Sequence, residues 1–563
     1  MRYSTAVQPT PCERLCTPAA VAALALMPYA TVGMGFQHAL WLDGLGDLGI
    51  VLTLLAVGRQ TVSSLAGGSP WAVRWGLGLY LAAAAFGAII GLTSGNPLRF
   101  IVSQTASMVL WPAGFIAFAA GATPTLRRVA AGLGIASAVA LAVHLAVAFA
   151  TRGAPEVRGE ALRLTLRNDV SFTGLSVMAL LVCLGWWAET RRPAAALAAA
   201  AAAVLVVGSM SRGAWIVALI GVVAFWTLRQ KRVWWALVVP PLATALGVAA
   251  LFAASRWVTA RGEFVIPRSE ETMPMEGGGV EIRRNVAVNG RPIEITIAVR
   301  GRSSARPVLI VSSRDAAGRS VVVAQVRPNP VAPDRPLTVV QFLPAGTSRL
   351  SFGLWQQSGG GEVVTCEVRE LPGAMAGWLR TLDLRIRQTA LALIHPAQDG
   401  TVGYRLAEWA AVKKAWTRAT WFRWLSGQGL GATVQFPNSS WDEHGHRIDI
   451  PTANYLHNFY VFLFFKLGLA GAAALAGLLL VAGWTWRAAI ARRSTADGAT
   501  LAAAAACWLA YLVWSVTSPE ILDFHTAPLW GALVAATVAG TGRGAPQGAA
   551  PDPRSHSSST SRA

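Results

Sequence analysis

The fold class the sequence predicts is mainly α: a polytopic membrane protein of about 12 transmembrane helices, with an inserted extracytoplasmic β-sandwich and a small helical periplasmic segment. Three observations predict it. Of the 563 residues, 54% are apolar and only 13% charged, with a mean hydropathy of +0.46. Charge-free runs such as Leu81–Leu92, Ala194–Val207 and Leu467–Trp484 are longer than a soluble core uses. Between two groups of such runs lies a stretch whose apolar residues recur at every second position, the period of strands.

Apolar length places the spans at 18–36, 40–58, 71–93, 98–120, 126–150, 169–188, 194–210, 212–228 and 233–255, and then at 456–486, 498–517 and 525–541. The seventh and eighth abut, which requires a sharp turn near Ser209–Arg212. The tenth is overlong and must tilt or begin above the bilayer. Many of the 23 tryptophans, Trp71, Trp75, Trp234 and Trp235 among them, edge these runs as an interfacial belt.

Charge sets the orientation. With residues 1–17 as a cytoplasmic N-terminus, Arg59 and Arg74, Arg127 and Arg128, Arg191 and Arg192, Arg229 to Arg232, and Arg487 to Arg493 all fall inside, as the positive-inside rule requires. Nothing in 1–17 resembles a cleavable signal, so the first span is expected to stay as an anchor. Residues 542–563, rich in Gly, Pro, Ser and Arg, are expected to form a disordered cytoplasmic tail. The insert between the ninth and tenth spans then lies outside. The net charge of +20 belongs to these loops and the insert, and no nucleic-acid motif accompanies it. Five scattered cysteines (Cys12, Cys16, Cys183, Cys366, Cys507) make neither a disulfide framework nor a zinc site.

The insert has two parts. In 262–371, Ile293, Ile295, Ile297 and Val299 alternate with Glu294, Thr296 and Ala298, and Leu350, Phe352 and Leu354 alternate with Ser351 and Gly353. About seven such strands, separated by Gly/Pro/Asn/Asp turns, predict a β-sandwich. Its outline resembles carbohydrate-binding jelly rolls; a spacer without a ligand is the alternative. In 374–452 the period returns to helical, through Leu379, Leu382 and Ile386 and then Leu406, Trp409 and Trp416, followed by a Gly-rich turn at Ser426–Gly431 and a polar loop at Asn438–Arg447.

Three residues carry candidate chemistry. Arg212 opens the eighth span, where a guanidinium at a helix N-terminus suits a phosphate, although a snorkelling anchor reads the same way. Arg405 could bind an anion or pair with Glu408 on its own helix. His457, with Asn458, opens the tenth span at the water–lipid boundary and could be a base or a plain interfacial histidine. Asp442-Glu443-His444-Gly445-His446 offers metal-ligand types, with Asp383 and Asp399 in the same insert, but its spacing fits no zinc signature and no metal is expected.

Ser211–Gly213 with its apolar helix, the Arg405–Trp409 helix running into Gly427–Gly431, and His457-Asn458 followed by Leu467–Gly471 occur in order from about residue 165 onward. In this they resemble the O-antigen ligase and O-antigen polymerase superfamily, C-type membrane glycosyltransferases. The resemblance implies a bacterial inner-membrane enzyme that moves a glycan from undecaprenyl pyrophosphate to a hydroxyl at the periplasmic face, without cofactor or metal and with inversion. It implies His457 as base and Arg212 and Arg405 as the grip on the pyrophosphate, with Arg163, Arg167, Lys413 and Asn458 as substrate contacts. The acceptor would be another glycan, a lipid A core or a protein hydroxyl; the bilayer is the other partner, and nucleic acid is not one. A protein oligosaccharyltransferase is the alternative within the class. A transporter or flippase is the alternative outside it, and would place ionisable groups near mid-membrane.

Overall fold

The computed structural model describes residues 18–26, 69–120, 125–150, 157–158, 161–162, 170–230, 233–269, 273–275, 279–300, 308–314, 320–326, 336–343, 346–355, 362–395, 400–441, 447–454, 456–495, 497–523 and 526–542. The second expected span, most of the first, and the tail lie outside them.

Among the described residues, fourteen α-helices follow the short helical stretch at 18–26. They are α1 (Trp71–Thr93), α2 (Leu98–Ala120), α3 (Leu126–Ala150), α4 (Val170–Thr190), α5 (Pro193–Gly208), α6 (Arg212–Arg229), α7 (Val233–Thr259), α8 (Ala374–Ile394), α9 (Gly400–Thr417), α10 (Trp421–Ser426), α11 (Phe459–Leu467), α12 (Leu469–Ala491), α13 (Gly498–Trp514) and α14 (Ala527–Gly542). Seven are long and apolar enough to cross a membrane: α1 to α4, α6, α7 and α12. The apolar α5, α13 and α14 are shorter. This is a mainly helical membrane protein.

Small residues set the helix packing. A β-carbon at Gly76 of α1 would stand 2.6 Å from the Gly477 carbonyl of α12, and one at Gly531 of α14 would stand 2.1 Å from the Phe115 nitrogen of α2. Backbones this close leave no room for a side chain at these glycines. Buried rings fill the centre, with Tyr80 on Trp111 (5.3 Å), Trp508 on Trp530 (4.7 Å) and Tyr511 on Trp530 (4.6 Å). Tryptophan therefore serves the core here as well as the boundary, where Trp71 and Trp75 are exposed.

Arg127, Arg229 and Arg492 gather at one end of the bundle. Arg127 pairs with Glu189, whose other oxygen accepts from Thr500; Arg229 donates to the Arg493 carbonyl (2.8 Å), and Arg492 to that of Gly540 (2.7 Å). Since Arg229 closes the helix that Arg212 opens, Arg212 stands at the opposite end.

Two corrections concern the chain after the insert. The tenth span does not run unbroken over 456–486. Gly468, at φ +56°, separates α11 from α12, and a β-carbon there would meet the Gly427 nitrogen at 2.4 Å, so the helix breaks where another backbone wedges in. Nor is 374–452 wholly helix and loop. Strands β12 (Val434–Trp441) and β13 (Arg447–Ala453) pair antiparallel, with Val434 opposite Ala453 and Ser440 opposite Ile448. Pro437 and an irregular register at Gln435–Asn438 hide the strand period.

Between α7 and α8 the described residues include nine strands. These are β3 (Glu263–Ser269), β4 (Met273–Met275), β5 (Gly279–Ala287), β6 (Ile293–Arg300), β7 (Val308–Arg314), β8 (Ser320–Val326), β9 (Leu337–Gln341), β10 (Arg349–Trp355) and β11 (Glu362–Glu370); the two-residue β1 and β2 (Val157–Arg158, Ala161–Leu162) precede them. One antiparallel sheet has the order β4-β5-β10-β7-β8, the other β3-β11-β6-β9. Ile295, Ile297 and Val368 from one sheet share a core with Leu309, Val311 and Phe352 from the other. Cys366 lies in that core, and burial pushes its thiol up to about 12, so it stays protonated and inert.

The opposite face of β6 is covered rather than solvated. Glu294 is buried there, in a two-pronged pair with Arg380 of α8 at 2.6 and 3.1 Å. Arg380 also meets Asp383 (2.7 Å), which is fully buried and accepts from Arg387 (2.6 Å) and from Ser255 of α7 (2.7 Å). Strand, membrane helix and α8 are thus fastened through two carboxylates, Glu294 and Asp383, bridged by Arg380.

Candidate functional site

The site is built around His457, which sits just ahead of α11. Its backbone N–H donates to Oε2 of Glu408 at 3.0 Å, and its Nδ1 lies 3.2 Å from Oε1 of the same carboxylate. Glu408 is fully buried on α9, while the His457 side chain is about one-third exposed (34%). A carboxylate at Nδ1 selects the tautomer in which that nitrogen carries the proton, which leaves the lone pair of the neutral ring on Nε2. The ring is also held edge-on by Tyr404 (centroids 5.5 Å apart), which in turn meets Phe436 of β12 (5.0 Å).

Asn458 is the N-cap of α11. Its side-chain oxygen accepts from the Val461 N–H at 2.9 Å, and the residue is buried. The amide expected to touch substrate thus has a structural use, fixing the helix start next to His457. One residue on, the Phe459 N–H donates to the Ser515 carbonyl just past α13 (2.8 Å).

Arg212 is the first residue of α6, capped by Ser211, whose hydroxyl accepts from Ala214 N–H. The sharp turn before it is present, with Met210 at φ +52°. Arg385 of α8 braces the turn by donating to the Met210 carbonyl (2.9 Å), and Arg212 itself reaches the Gln388 carbonyl at 3.5 Å. A β-carbon on Gly213 would lie 3.3 Å from the indole nitrogen of Trp514. The starts of α6 and α11 therefore both abut the end of α13, at Trp514 and Ser515.

Arg405 is half-buried on α9, one turn before Glu408 and next to Tyr404. Its neighbours on that helix, Tyr404 and Glu408, touch His457. The elements that bear His457, Arg405 and Arg212 meet at one end of the bundle. Lys413 is not part of this group. It is exposed, five residues after Glu408 and so about 140° around the helix. Arg163 and Arg167 lie outside the described residues, as do Asp399 and Asp442–His446. Among the described residues no three His, Cys, Asp or Glu side chains converge as metal ligands, and Asp383 belongs to the ion-pair cluster under α8.

The Gly-rich turn has its backbone N–H groups bonded to other segments of the chain. It threads between helices: the Gly429 N–H donates to the Lys466 carbonyl (2.8 Å), the Leu430 N–H to that of Gly87 (2.9 Å), and Gln104 accepts from Gly431 N–H (2.7 Å). Lys466, wholly buried in α11, donates to the carbonyls of Ala432 and Asn454. The turn and this lysine lock the hairpin, and so the backbone leading into His457.

Sequence reasoning missed Glu408 as the partner of His457 and Lys466 as the lock; only their acidity and basicity in apolar surroundings marked them. No family model, no curated protein and no solved structure matches this chain.

Proposed function

We propose that this protein is a membrane glycosyltransferase that moves a glycan from a polyprenyl pyrophosphate, undecaprenyl in a bacterial inner membrane, to an acceptor hydroxyl at the outer face. The observation that carries the reading is the His457–Glu408 pair, set on the helix that bears Arg405 and at the bundle end where Arg212 opens α6. Nε2 of His457 takes the proton of the acceptor hydroxyl as its oxygen attacks the anomeric carbon. The bond from that carbon to the pyrophosphate breaks with its electron pair on the leaving oxygen, and configuration inverts. Lipid pyrophosphate is already a stable anion, so it needs positive charge rather than a proton. Guanidinium groups provide that in bidentate form.

In this reading about 12 spans cross the membrane, counting the shorter apolar helices and those outside the described residues. The basic end of the bundle is cytoplasmic, and the paired sheets form a β-sandwich in the periplasm with α8 and α9 roofing the site. The product is a surface polysaccharide, by polymerase or ligase action. Replacing His457 or Arg212 by Ala should abolish the surface glycan with membrane protein levels unchanged. A base contributes about 10²–10⁴ in rate, so loss of surface glycan should be near complete. Normal glycan in both variants overturns the reading. In a deletion strain, single-repeat products identify a polymerase and unattached lipid-linked polymer a ligase.

A further inference from the structure

A second site is built at the junction of α7, the β3-β11-β6-β9 sheet and α8. A cleft of about 500 Å³ is lined there by Arg256, Thr259, Thr338, Arg369, Arg380 and Arg387. Four arginines and two threonines are among its lining residues, and no acidic residue is, among the described residues. Two of the acids that hold these arginines are buried, Asp383 fully and Glu294 with 9% of its side chain exposed, while the Glu367 side chain is 32% exposed.

Three of the four arginines, Arg380, Arg369 and Arg387, are fixed before any ligand arrives. Burial works against the charge of Arg380, yet Glu294 and Asp383 together raise its pKa above the ordinary arginine value. Arg369 donates to the Thr259 carbonyl (2.9 Å), contacts Glu367 (3.3 Å) and stacks over Phe264 (4.1 Å). Arg387 shares Asp383 but keeps 45% of its side chain exposed. Arg256 is exposed and has no carboxylate partner among the described residues. Glu294, Asp383 and Glu367 thus leave the four guanidinium groups with a net positive charge at the mouth.

The depth of the cleft narrows the ligand. Arg256 lies three residues from the end of the Leu237–Thr259 span, beside Trp257, which is exposed and stacked by Arg261 at 3.5 Å. That is the boundary composition at which lipid phosphates lie. Preformed guanidinium forks match a tetrahedral oxyanion with paired oxygens, and the volume exceeds that of a bare ion.

We propose that this cleft binds a phosphate group, presented by an anionic lipid headgroup in the bilayer or by free phosphate in solution. The proposal does not depend on glycosyl transfer. It is tested on the full chain in neutral detergent, following the thermal unfolding midpoint as ligand is added. Phosphatidylglycerol doped into the micelles is compared with diacylglycerol, and inorganic phosphate with chloride at matched ionic strength. Saturable stabilisation by phosphatidylglycerol identifies the headgroup as the source, and saturation by inorganic phosphate alone identifies the free anion. In either case Arg256→Gln, which breaks no ion pair, should weaken the apparent affinity by about tenfold, and Arg256→Gln with Arg387→Gln by more. Where the double variant does not fold, the single one decides. No saturable response to either phosphate source, or equal affinity in wild type and Arg256→Gln, overturns the proposal.

Discussion

At the scale of the residue, His457 owes its orientation to Glu408. A buried carboxylate that accepts from both the backbone N–H and Nδ1 fixes where the imidazole points and which nitrogen holds the proton. Glu408→Gln keeps the size but loses the charge that favours the imidazolium formed during proton abstraction. Turnover is expected to fall by about 10²-fold, with membrane protein level unchanged. Transfer from a lipid-linked donor by purified enzyme measures this, and a wild-type rate would remove Glu408 from the mechanism. The residue types were legible in the sequence, but the pairing was not. Glu408 has an arginine one turn away and a histidine far along the chain, and local spacing favours the arginine. Only the fold of the β12–β13 hairpin brings the histidine in.

At the scale of the element, helices and strands with an uninterrupted period were readable, and those shaped by contacts with other segments were not. Ile293–Val299 reads as a strand and is one. The β12–β13 hairpin does not show in the sequence because a proline and a register irregularity erase its alternation. The break at Gly468 was hidden because α11 and α12 are equally apolar. What imposes it is the Gly-rich turn driven between helices, and this makes the turn a structural device. Gly429 sits at φ +82°, and a β-carbon on it would lie 2.4 Å from the backbone nitrogen of Gly91. Gly429→Ala therefore combines a left-handed backbone with a clash against main chain. It should destabilise the protein by at least about 2 kcal/mol, seen as a lowered unfolding midpoint in detergent. An unchanged midpoint would mean that the turn is not packed this way.

At the scale of the whole molecule, composition and loop charge were enough to predict a helical membrane protein, because bilayer length and the positive-inside rule act on long stretches. How the sheets relate to the helices was invisible, since it depends on Glu294, Asp383 and Arg380 meeting across three elements. Those contacts imply that 263–371 is not a detachable module. Removing it strips Glu294 from Arg380 and also Val340, Phe342 and Leu371 from their cluster with Val258 and Ala376. The shortened protein is expected to reach the membrane at normal level yet lack activity, because α8 no longer holds the Met210 turn beside Arg212. Full activity after the deletion would show that α8 is held by the bundle alone.

Helix α7 has a mechanical consequence. Among the described residues none in its most apolar eighteen-residue window is buried, so in a bilayer much of that window would face hydrocarbon. Such a rod sets its slant by the thickness of the sheet of oil it crosses. Its far end is bonded through Ser255 to Asp383, and from there to the helix that steadies the arginine turn. Stretching or thinning the lipid would then be felt, through that one tether, at the guanidinium of Arg212.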